Sequence, residues 1–406
     1  MKVVQINAVY GIGSTGIIVK DIGDMLYKNG HEPYFVYQQT NDDISTGYKM
    51  GNYLDWKLHA LGTRLLGKQG YFSYRSTNKL CNYLDKINPE IVHLHNLHSN
   101  YINLNMLLDY LSRKDIATVI TLHDCWFFTG KCFHFVNVKC KKWRYRCSNC
   151  PQNKSDVKSL FFDQSEKVFN DKLYHFGSIS NLTIVGCSDW ITHLAESSPI
   201  FNGKMFKRIY NGVDISIFKY TADYALVKKY DLENKFVILG MANKWLQSNN
   251  HDFVNQVFNS LDKQDIILLV GCTDDQIKQY SQYSNIITLG YIYDREFLAK
   301  IYSISNVFVN LTFEDTLPTV NMEAICCGTP VITYDSCGSP ELIEEDKTGY
   351  VISQKNIREF KAAISKIKNG KISRCDCEKI GQYTFDKNKQ YLKYLHLYEN
   401  ILMKER

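Results

Sequence analysis

Two carboxylates flank the predicted start of a helix in the second half of the sequence. The stretch Phe313–Val331 reads FEDTLPTVNMEAICCGTPV, with Asp315 before Pro318 and Glu323 after it. Proline suits the first turn of a helix, because its missing N–H would have no partner there, so the helix should begin near residues 316–318. Its free N–H groups would attract a phosphate, and a carboxylate one or two turns inside could accept both hydroxyls of a ribose. The pattern predicts a nucleotide site; acids that only stabilise a helix N-terminus are the alternative.

A glycine-rich segment near the start of the chain could lie close to a ligand. The segment VVQINAVYGIGSTGIIVK follows the order strand, loop and helix, with Gly11, Gly13 and Gly16 in the loop. Glycine leaves room for a ligand beside the backbone, and the following helix would point its N-terminus at the same place. The spacing matches neither the dinucleotide fingerprint nor the P-loop, so a tight turn without a ligand is the alternative.

Three histidines lie on or just beyond predicted strands. His93 and His95 share one side of PEIVHLHNLH, and His123, followed by Asp124, ends the strand ATVITL. Ligands of open parallel sheets gather beyond the carboxyl ends of the strands. We therefore predict His123 as a site residue and expect His93 and His95 to be structural.

Four cysteines are concentrated in one short loop. They are Cys132, Cys140, Cys147 and Cys150, and the last two form a Cys-x-x-Cys pair. Four thiolates can close a tetrahedral zinc site, and a small loop without its own core needs such a staple. A structural zinc ion is the first interpretation, with His134 as a substitute ligand. A redox-active thiol pair or disulfide, and unligated thiols, are the alternatives.

Two segments could contact an anionic surface. The cysteine loop is also basic, which suits a diphosphate lipid or an anionic headgroup; a solvated loop is the alternative. Leu54–Arg75 alternates apolar and basic residues, and we expect an ordinary surface helix whose apolar side lies on the domain core, with membrane contact as the alternative. The residues concerned are Lys139, Lys141, Lys142, Arg144 and Arg146 in the loop, and Trp56, Leu58, Leu61, Leu65 and Leu66 beside Lys57, Arg64 and Lys68 in the helix.

Length and composition indicate an ordinary globular protein of two or three domains. The chain has 406 residues, 45% hydrophobic and 22% charged, with a formal net charge of +6, so a nucleic-acid partner is not indicated. The N-terminus lacks the pattern of a signal peptide, and no apolar run reaches the roughly 20 residues that cross a bilayer. We expect a cytoplasmic protein whose 13 cysteines are mostly reduced thiols.

The motifs are carried by elements that alternate strand and helix in two halves. This order predicts an α/β fold with two parallel sheets covered by helices on both faces. An Asn-Gly turn signal at Asn211 marks the expected boundary between the halves. The final segment, YTFDKNKQYLKYLHLYENILMKE, has helical apolar spacing.

Three segments resemble the motifs of retaining family 4 glycosyltransferases, which have the GT-B fold: FEDTLPTVNMEA, IYNGVD and TLHDCW. The resemblance covers nearly the whole chain and is to enzymes of colanic-acid or capsular polysaccharide assembly. It implies two Rossmann-like, doubly wound domains facing a cleft. The implied divisions are an acceptor-binding domain at 1–210 that includes the cysteine loop at 132–150, a nucleotide-sugar-binding domain at 211–384, and a helix at 385–406 that crosses back to the first domain.

The resemblance implies transfer of a sugar from a nucleotide-diphosphate sugar, expected to be a UDP-sugar, to a hydroxyl of a lipid-linked oligosaccharide, with retention of the anomeric configuration. It implies no cofactor or metal for catalysis, and a place at the inner face of the plasma membrane. Asp315 would hold the donor sugar, His123 would position the reacting sugar and Glu323 would bind the ribose. The other implied donor contacts are Gly13, Lys244, Gly290, Tyr291, Thr316, Leu317, Pro318 and Thr319.

The sequence departs from the family pattern in the loop after KFVILGMA. Family members carry an Arg and a Lys-Gly there, whereas this chain has Asn243, Asn249 and Asn250. Both cations would hold the donor diphosphate through charge-assisted hydrogen bonds, and Lys244 could substitute. Two other functions therefore stay open: a catalytically impaired homologue that serves as a scaffold or partner of a glycosyltransferase complex, and a nucleotide-sugar epimerase on the same fold.

Overall fold

The computed structural model describes residues 1–404 and divides into two compact units. One unit comprises Met1–Asn211 together with the chain from Asn388 onward, and the other comprises Gly212–Lys387. Each is built on a parallel β-sheet with helices around it. The predicted α/β class, with two Rossmann-like domains, is confirmed.

The first unit is built on a seven-stranded parallel sheet and a separate pair of short parallel strands. Its strands are β1 (Lys2–Ile6), β2 (Val9–Tyr10), β3 (Glu32–Tyr37), β4 (Gln39–Thr40), β5 (Gly47–Lys49), β6 (Ile91–Leu94), β7 (Ala117–Leu122), β8 (Leu182–Gly186) and β9 (Met205–Arg208). The sheet order is β5-β3-β1-β6-β7-β8-β9, while β2 pairs separately with β4. All residues of β6, β7 and β8 are buried, because a parallel sheet is covered on both faces.

Helices cover the sheet of the first unit. They are α1 (Gly13–Lys28), α2 (Tyr53–Leu66), α3 (Tyr74–Ile87), α4 (Leu104–Arg113), α5 (Ser165–Ser178) and α6 (Asp189–Glu196). α1 buries Ile18, Ile22, Met25 and Leu26, which recur at helical spacing. Short 3₁₀ segments lie at Trp126–Phe128, Lys142–Arg144 and Pro199–Phe201.

The apolar side of α2 does not lie on the core, so the expectation for this helix is wrong. Its buried residues are His59 and Thr63, which bond inward: His59 Nδ1 lies 2.8 Å from Ser73 Oγ, and the Thr63 hydroxyl donates to Asn100 Oδ1 at 2.9 Å. These polar contacts occupy the inner side of the helix, and Leu54, Leu58, Leu61 and Leu66 are exposed. The helix also ends early, at a left-handed Gly67.

The second unit has a six-stranded parallel sheet. Its strands are β10 (Phe236–Met241), β11 (Asp265–Val270), β12 (Ile286–Leu289), β13 (Val307–Asn310), β14 (Val331–Tyr334) and β15 (Gly349–Ile352), and its helices are α7 (Tyr224–Lys229), α8 (Ala242–Trp245), α9 (His251–Phe258), α10 (Asp274–Tyr280), α11 (Arg295–Ile304), α12 (Thr319–Cys326), α13 (Ile357–Lys368) and α14 (Arg374–Phe385). The strand order is β12-β11-β10-β13-β14-β15. Further 3₁₀ segments lie at Ser248–Asn250 and Pro340–Leu342.

The last helix, α15 (Lys387–Lys404), packs on the first sheet from Asn388 onward. Tyr391, Tyr394 and Tyr398 are buried in one core with residues of α1, β6 and β7. The helix begins after Asp386, whose ψ of 116° is not helical and separates it from α14.

Candidate functional site

The strand order of the second unit reverses between β10 and β13. From β10 the chain runs outward through β11 to β12, and it then returns to β13 on the other side of β10. Doubly wound sheets bind ligands beyond the carboxyl ends of the strands at such a point. Lys244 follows β10 and Asp315 follows β13, so both lie in connections at this reversal.

The tip of α12 lies in the connection after β13. The helix begins at Thr319, and Pro318 is its N-cap with φ −68° and ψ 109°. Pro318 is therefore not in the first turn as predicted, because its ψ is extended. Leu317 is buried, and its N–H donates to Asp315 Oδ1 at 3.2 Å. The first N–H groups of a helix have no intrahelical partner, so the backbone at Thr319 can bind an anion.

Three buried polar atoms around this tip have no hydrogen-bond partner among residues 1–404. They are Thr316 Oγ1, Asn321 Nδ2 and Ser339 Oγ. The loop that holds Ser339 touches the same place, because the Gly338 N–H donates to the Asp315 carbonyl at 3.2 Å. Buried polar groups in native proteins are nearly always satisfied by protein, water or ligand. The surroundings of the α12 tip are thus chemically suited to a polar ligand.

Glu323 lies one turn inside α12. Burial raises its pKa to about 7, against the opposing effects of the Arg295 guanidinium and of the Tyr302 hydroxyl, which donates to Glu323 Oε2 at 3.3 Å. Near neutral pH the side chain therefore exchanges between acid and carboxylate. The carboxylate offers a separate oxygen to each hydroxyl of a vicinal diol, whereas the acid offers only its carbonyl oxygen as a good acceptor.

The connection after β10 carries Asn243, Lys244, Asn249 and Asn250. Asn243 and Asn249 are exposed, and Lys244 is half-buried on α8. Asn250 has a different role, since it is fully buried. Its amide nitrogen donates to the carbonyls of Lys244 at 2.8 Å and Leu311 at 2.9 Å. Asn250 thereby ties the connection after β10 to the one after β13.

Asn250→Gly should therefore destabilise the protein by about 3 kcal/mol. It leaves the carbonyls of Lys244 and Leu311 unbonded, and also the Tyr334 hydroxyl, which donates to Asn250 Oδ1 at 3.1 Å. Thermal unfolding of the two proteins measures the effect. The matched control is Asn249→Gly at an exposed position, where the melting temperature should hardly change. Equal melting temperatures for the Asn250 variant and the wild type would contradict this role.

The turn after the edge strand β12 holds Gly290 and Tyr291, two of the implied donor contacts. Gly290 accepts a hydrogen bond from the Gly271 N–H at 3.2 Å. Tyr291 is 71% exposed and Tyr293 is 87% exposed, and their ring centroids lie 5.7 Å apart. Exposed aromatic rings provide stacking surfaces for a nucleobase. This pair is therefore the feature of the turn that best suits a base.

The strand order of the first unit reverses between β1 and β6. The glycine loop follows β1, and Gly11 and Gly13 have φ of 67° and 63°, which disfavour other residues. A Cβ atom on Gly13 would meet nothing within 4 Å, so the loop is open beside this residue. α1 begins there without a side-chain cap, which leaves its N-terminal N–H groups accessible to a ligand.

Histidines beyond β6 and β7 form a hydrogen-bonded chain in the first unit. Gln5 Nε2 donates to the Val19 carbonyl at 3.0 Å, so Gln5 Oε1 is the acceptor that faces His95 Nε2 at 3.2 Å. His95 Nε2 therefore carries the proton, and His95 Nδ1 accepts from His123 Nε2 at 3.0 Å. This fixes the tautomer of His123, because its remaining nitrogen, Nδ1, is then an acceptor when the ring is neutral.

Burial keeps these rings neutral. It lowers the pKa of His123 to about 4 and the pKa values of His93 and His95 well below their usual range. His93 is held between Thr121 Oγ1 and the Tyr398 hydroxyl, each at 2.7 Å. His93 thus has structural contacts only, whereas His95 orients His123.

The four loop cysteines, Cys132, Cys140, Cys147 and Cys150, line one small cavity in the first unit. All 13 cysteines are free thiols, and within residues 1–404 no three His, Cys, Asp or Glu side chains are placed so that they could hold a metal ion as they stand. His134, the predicted substitute ligand, is not among the residues that line the cavity.

Sequence reasoning missed the residues that act through hydrogen bonds across the fold. Asn250 and Tyr302 carry no motif of their own, and Gln5 and His95 are distant in sequence from His123. The one local signal was the alternation of His93 and His95, which places both on the same side of β6.

Solved structures with this fold are GT-B glycosyltransferases, and this is the class that the two units define. A glycosyltransferase from Rickettsia africae aligns over 99% of this chain and 98% of its own, with a TM-score of 0.68 at 15% identity. HepE of Anabaena, in complex with UDP, aligns over 98% and 100%, with a TM-score of 0.67 at 14% identity.

The family model "Glycosyltransferase Family 4" matches residues 15–217, and "Glycosyl transferases group 1" matches residues 225–384. The chain belongs to glycosyltransferase family 4. The putative colanic acid biosynthesis glycosyl transferase WcaC of Escherichia coli is 23% identical over 282 residues, which are 66% of this chain and 65% of that relative. Spore coat protein SA of Bacillus subtilis is 30% identical over 107 residues, 26% and 28% of the two chains. None of the helices within residues 1–404 combines the length and the apolar character that a membrane span requires.

Proposed function

We propose that this glycosyltransferase moves a sugar from a UDP-sugar to a hydroxyl of a lipid-linked oligosaccharide, with retention of configuration, during assembly of a surface polysaccharide. The observation that carries the donor assignment is the tip of α12, where Glu323 lies one turn behind free backbone N–H groups and unsatisfied buried polar atoms. The UDP complex of Anabaena HepE and the name of the Escherichia coli relative support the nucleotide and the polysaccharide.

In this proposal the donor lies on the second unit. The diphosphate binds the backbone at Thr319, and Lys244 supplies the cation from the connection after β10. Glu323 accepts both ribose hydroxyls, Asp315 holds the donor sugar, and the base stacks at Tyr291. A helix N-terminus and a lysine together stabilise the charge that develops on the leaving diphosphate.

The reaction needs no nucleophile from the enzyme. The bond between the anomeric carbon and the diphosphate oxygen breaks while the acceptor hydroxyl attacks the same face of the sugar. The hydroxyl proton passes to the departing phosphate oxygen, and the configuration is retained. His123 is the residue predicted to position the reacting sugar, and Nδ1 is the acceptor that its neutral ring offers. No catalytic metal is part of the proposal.

Thermal-shift measurements on the full chain with UDP, GDP, ADP and their sugars test the donor assignment. A ligand that binds only the folded state raises the melting temperature by mass action, and UDP and UDP-sugars should give the largest shift. Product analysis with the preferred donor then separates the functions. Transfer to an added acceptor supports the proposal, whereas conversion of the donor without an acceptor indicates an epimerase.

The second candidate function is a scaffold, because Asn243 and Asn249 are exposed amides at positions where cations would hold the diphosphate. Without those cations, the diphosphate is held by the backbone at Thr319 and by Lys244 alone. If no nucleotide at millimolar concentration shifts the melting temperature, the transferase proposal is wrong and the scaffold function remains.

The outward face of α2 is the part of the structure that supports a lipid-linked acceptor. Leu54, Leu58 and Leu61 are 63%, 58% and 53% exposed. Phe161 and Phe162, also exposed, extend this face at the end of the helix, where the Leu160 N–H donates to the Arg64 carbonyl at 2.8 Å. Exposed basic side chains at Lys57, Arg64 and Lys158 border it. An apolar face with a basic border suits the surface of an anionic bilayer, and we propose that the enzyme acts at the inner face of the plasma membrane.

The double variant Leu58→Glu with Leu61→Glu should weaken binding to vesicles that contain phosphatidylglycerol by more than about tenfold. Both side chains are already in solvent, so the fold should be kept, while their apolar contact with the bilayer is lost. Vesicle flotation measures the effect, with Tyr27→Glu, at a 75% exposed position, as the matched control. Equal binding of the wild type and the double variant, or a stable dimer that the double variant disrupts, would contradict the membrane assignment.

A further inference from the structure

The cavity lined by the loop cysteines can be assigned a ligand of its own. We propose that it is a structural zinc site with Cys132, Cys140, Cys147 and Cys150 as its four ligands. The cavity has a volume of about 20 Å³, enough for one water-sized atom and too small for an organic cofactor. Zinc in structural sites takes four ligands and favours thiolates. This proposal does not depend on the donor or the acceptor of the transferase.

The distance between two of the thiols fits a shared zinc ion. Cys132 Sγ and Cys150 Sγ lie 3.9 Å apart. Two sulfurs bound to one tetrahedral zinc, each at about 2.3 Å, are separated by about 3.8 Å. A disulfide would require about 2.05 Å. The separation is therefore compatible with two ligands of one metal, and it is too long for a disulfide.

The backbone around the Cys-x-x-Cys pair is already shaped for such a site. The Gly130 N–H donates to Cys147 Sγ at 3.2 Å, the kind of outer contact that stabilises a metal-bound thiolate. Asn149, between the two cysteines, has a left-handed φ of 45°. Lys142 Nζ holds the turn by donating to the carbonyls of Ser148 and Asn149, each at 2.9 Å.

Two buried lysines near the cavity would be stabilised by an anionic centre. Lys131 and Lys172 are only 2% and 1% exposed, and within residues 1–404 neither forms an ion pair with a carboxylate. Lys131 Nζ donates to the Asn153 amide oxygen at 2.7 Å, and Lys172 Nζ donates to the Thr129 carbonyl at 3.0 Å. Buried charges are costly unless an opposite charge compensates them. Asp156 and Asp163 act electrostatically on Lys131, and Asp124 acts on Lys172. Four thiolates on one Zn²⁺ would add two excess negative charges beside both lysines.

The loop lacks other means to hold its shape. Between Trp126–Phe128 and α5 its only regular element is the 3₁₀ segment Lys142–Arg144. A few aromatic contacts, such as Trp143 with Phe135 at 4.8 Å between ring centroids, form its small core. Loops of this length with so little regular structure commonly need a staple. Zinc would draw the thiols onto a common centre by rotation of their side chains into the cavity.

Metal analysis of the full chain, purified without chelators, tests the proposal. We expect one zinc ion per chain by mass spectrometry of the metal, released when p-hydroxymercuribenzoate modifies the thiols. Cobalt(II) exchanged into the same protein should give the visible bands of a tetrahedral tetrathiolate site. A chain without zinc that also gives no such cobalt spectrum would overturn the assignment, and so would an intact mass that shows a disulfide between Cys132 and Cys150.

Single substitutions identify the ligands. Cys150→Ser should lose the zinc, whereas Cys375→Ser, at an exposed cysteine outside the loop, should keep it. Cys140→His replaces one zinc ligand by another and should retain the metal with an altered cobalt spectrum, which covers the case in which the serine variant does not fold. Zinc retained in Cys150→Ser at the wild-type content would exclude this cavity as its site.

Discussion

Glu323→Gln should raise the melting temperature of the ligand-free protein at alkaline pH, and it should weaken nucleotide binding. Burial raises the pKa of Glu323 to about 7, whereas an unfolded chain has the ordinary pKa of about 4.3. Between these values the folded state holds a proton that the unfolded state releases. The free energy of unfolding therefore falls as the pH rises through this window, by as much as about 4 kcal/mol, and stays low above it. Glutamine is neutral at every pH, so the variant does not lose this part of the free energy of unfolding.

The same substitution should weaken UDP binding by about a hundredfold or more. A carboxylate accepts hydrogen bonds from both ribose hydroxyls, while an amide offers only one oxygen for them. Protonated Glu323 has the same defect. UDP affinity in the wild type should therefore fall by about tenfold per pH unit below a pH of about 7, and this component should be absent from the glutamine variant.

Calorimetric titration with UDP on both sides of neutrality, together with thermal unfolding without ligand, measures both effects. The matched control is Glu233→Gln, an exposed carboxylate of the same unit, which should change neither quantity. Full UDP affinity in Glu323→Gln would exclude the ribose assignment. An unchanged melting temperature at alkaline pH would show that ionisation of the buried Glu323 carboxyl does not destabilise the folded protein.

His123→Ala should lower kcat by about a hundredfold and leave UDP affinity nearly unchanged. In the proposed mechanism His123 touches the reacting sugar and not the nucleotide. Burial lowers the pKa of His123 to about 4, so the ring becomes protonated only as the pH falls through that value. Above it, the pH profile of kcat should show no step from this histidine. A large loss of UDP affinity in the alanine variant would contradict the assigned role.

His95 is a positioning residue for His123, and two substitutions test that role. His95→Phe keeps a flat ring but removes the acceptor that holds His123 Nε2 at 3.0 Å. It should lower kcat by about tenfold to a hundredfold. His95→Asn retains an acceptor near the position of Nδ1 and should keep more of the activity, at an unchanged KM for the donor. Equal kcat values for the two variants would show that His95 acts only through stability, which the melting temperatures report separately.

Much of the architecture was readable from local patterns. Continuous apolar runs between turn signals predicted the buried strands, because a strand covered on both faces needs apolar residues at successive positions. The positions of Asp315 and His123 after strands followed from the same pattern, since a chain that leaves a parallel sheet exposes the next residues at its carboxyl edge. The concentration of four cysteines was also visible in the sequence, because spacing is a property of the chain itself.

Other features depended on which side of an element meets the rest of the fold. The periodicity of α2 identified an apolar face but not its direction, and the bonds of His59 and Thr63 turned that face to solvent. The first turn of α12 was misplaced by the assumption about Pro318, whose ψ is set by the loop that enters the helix.

The sequence by itself determined two α/β units, the family motifs and the residues available at each strand end, because these follow from periods and turns within short windows. Only the tertiary structure decided the pKa of Glu323, the tautomer of His123 and the bracing role of Asn250. Each of these depends on burial or on a hydrogen bond between residues far apart in the chain, and no local pattern specifies such contacts.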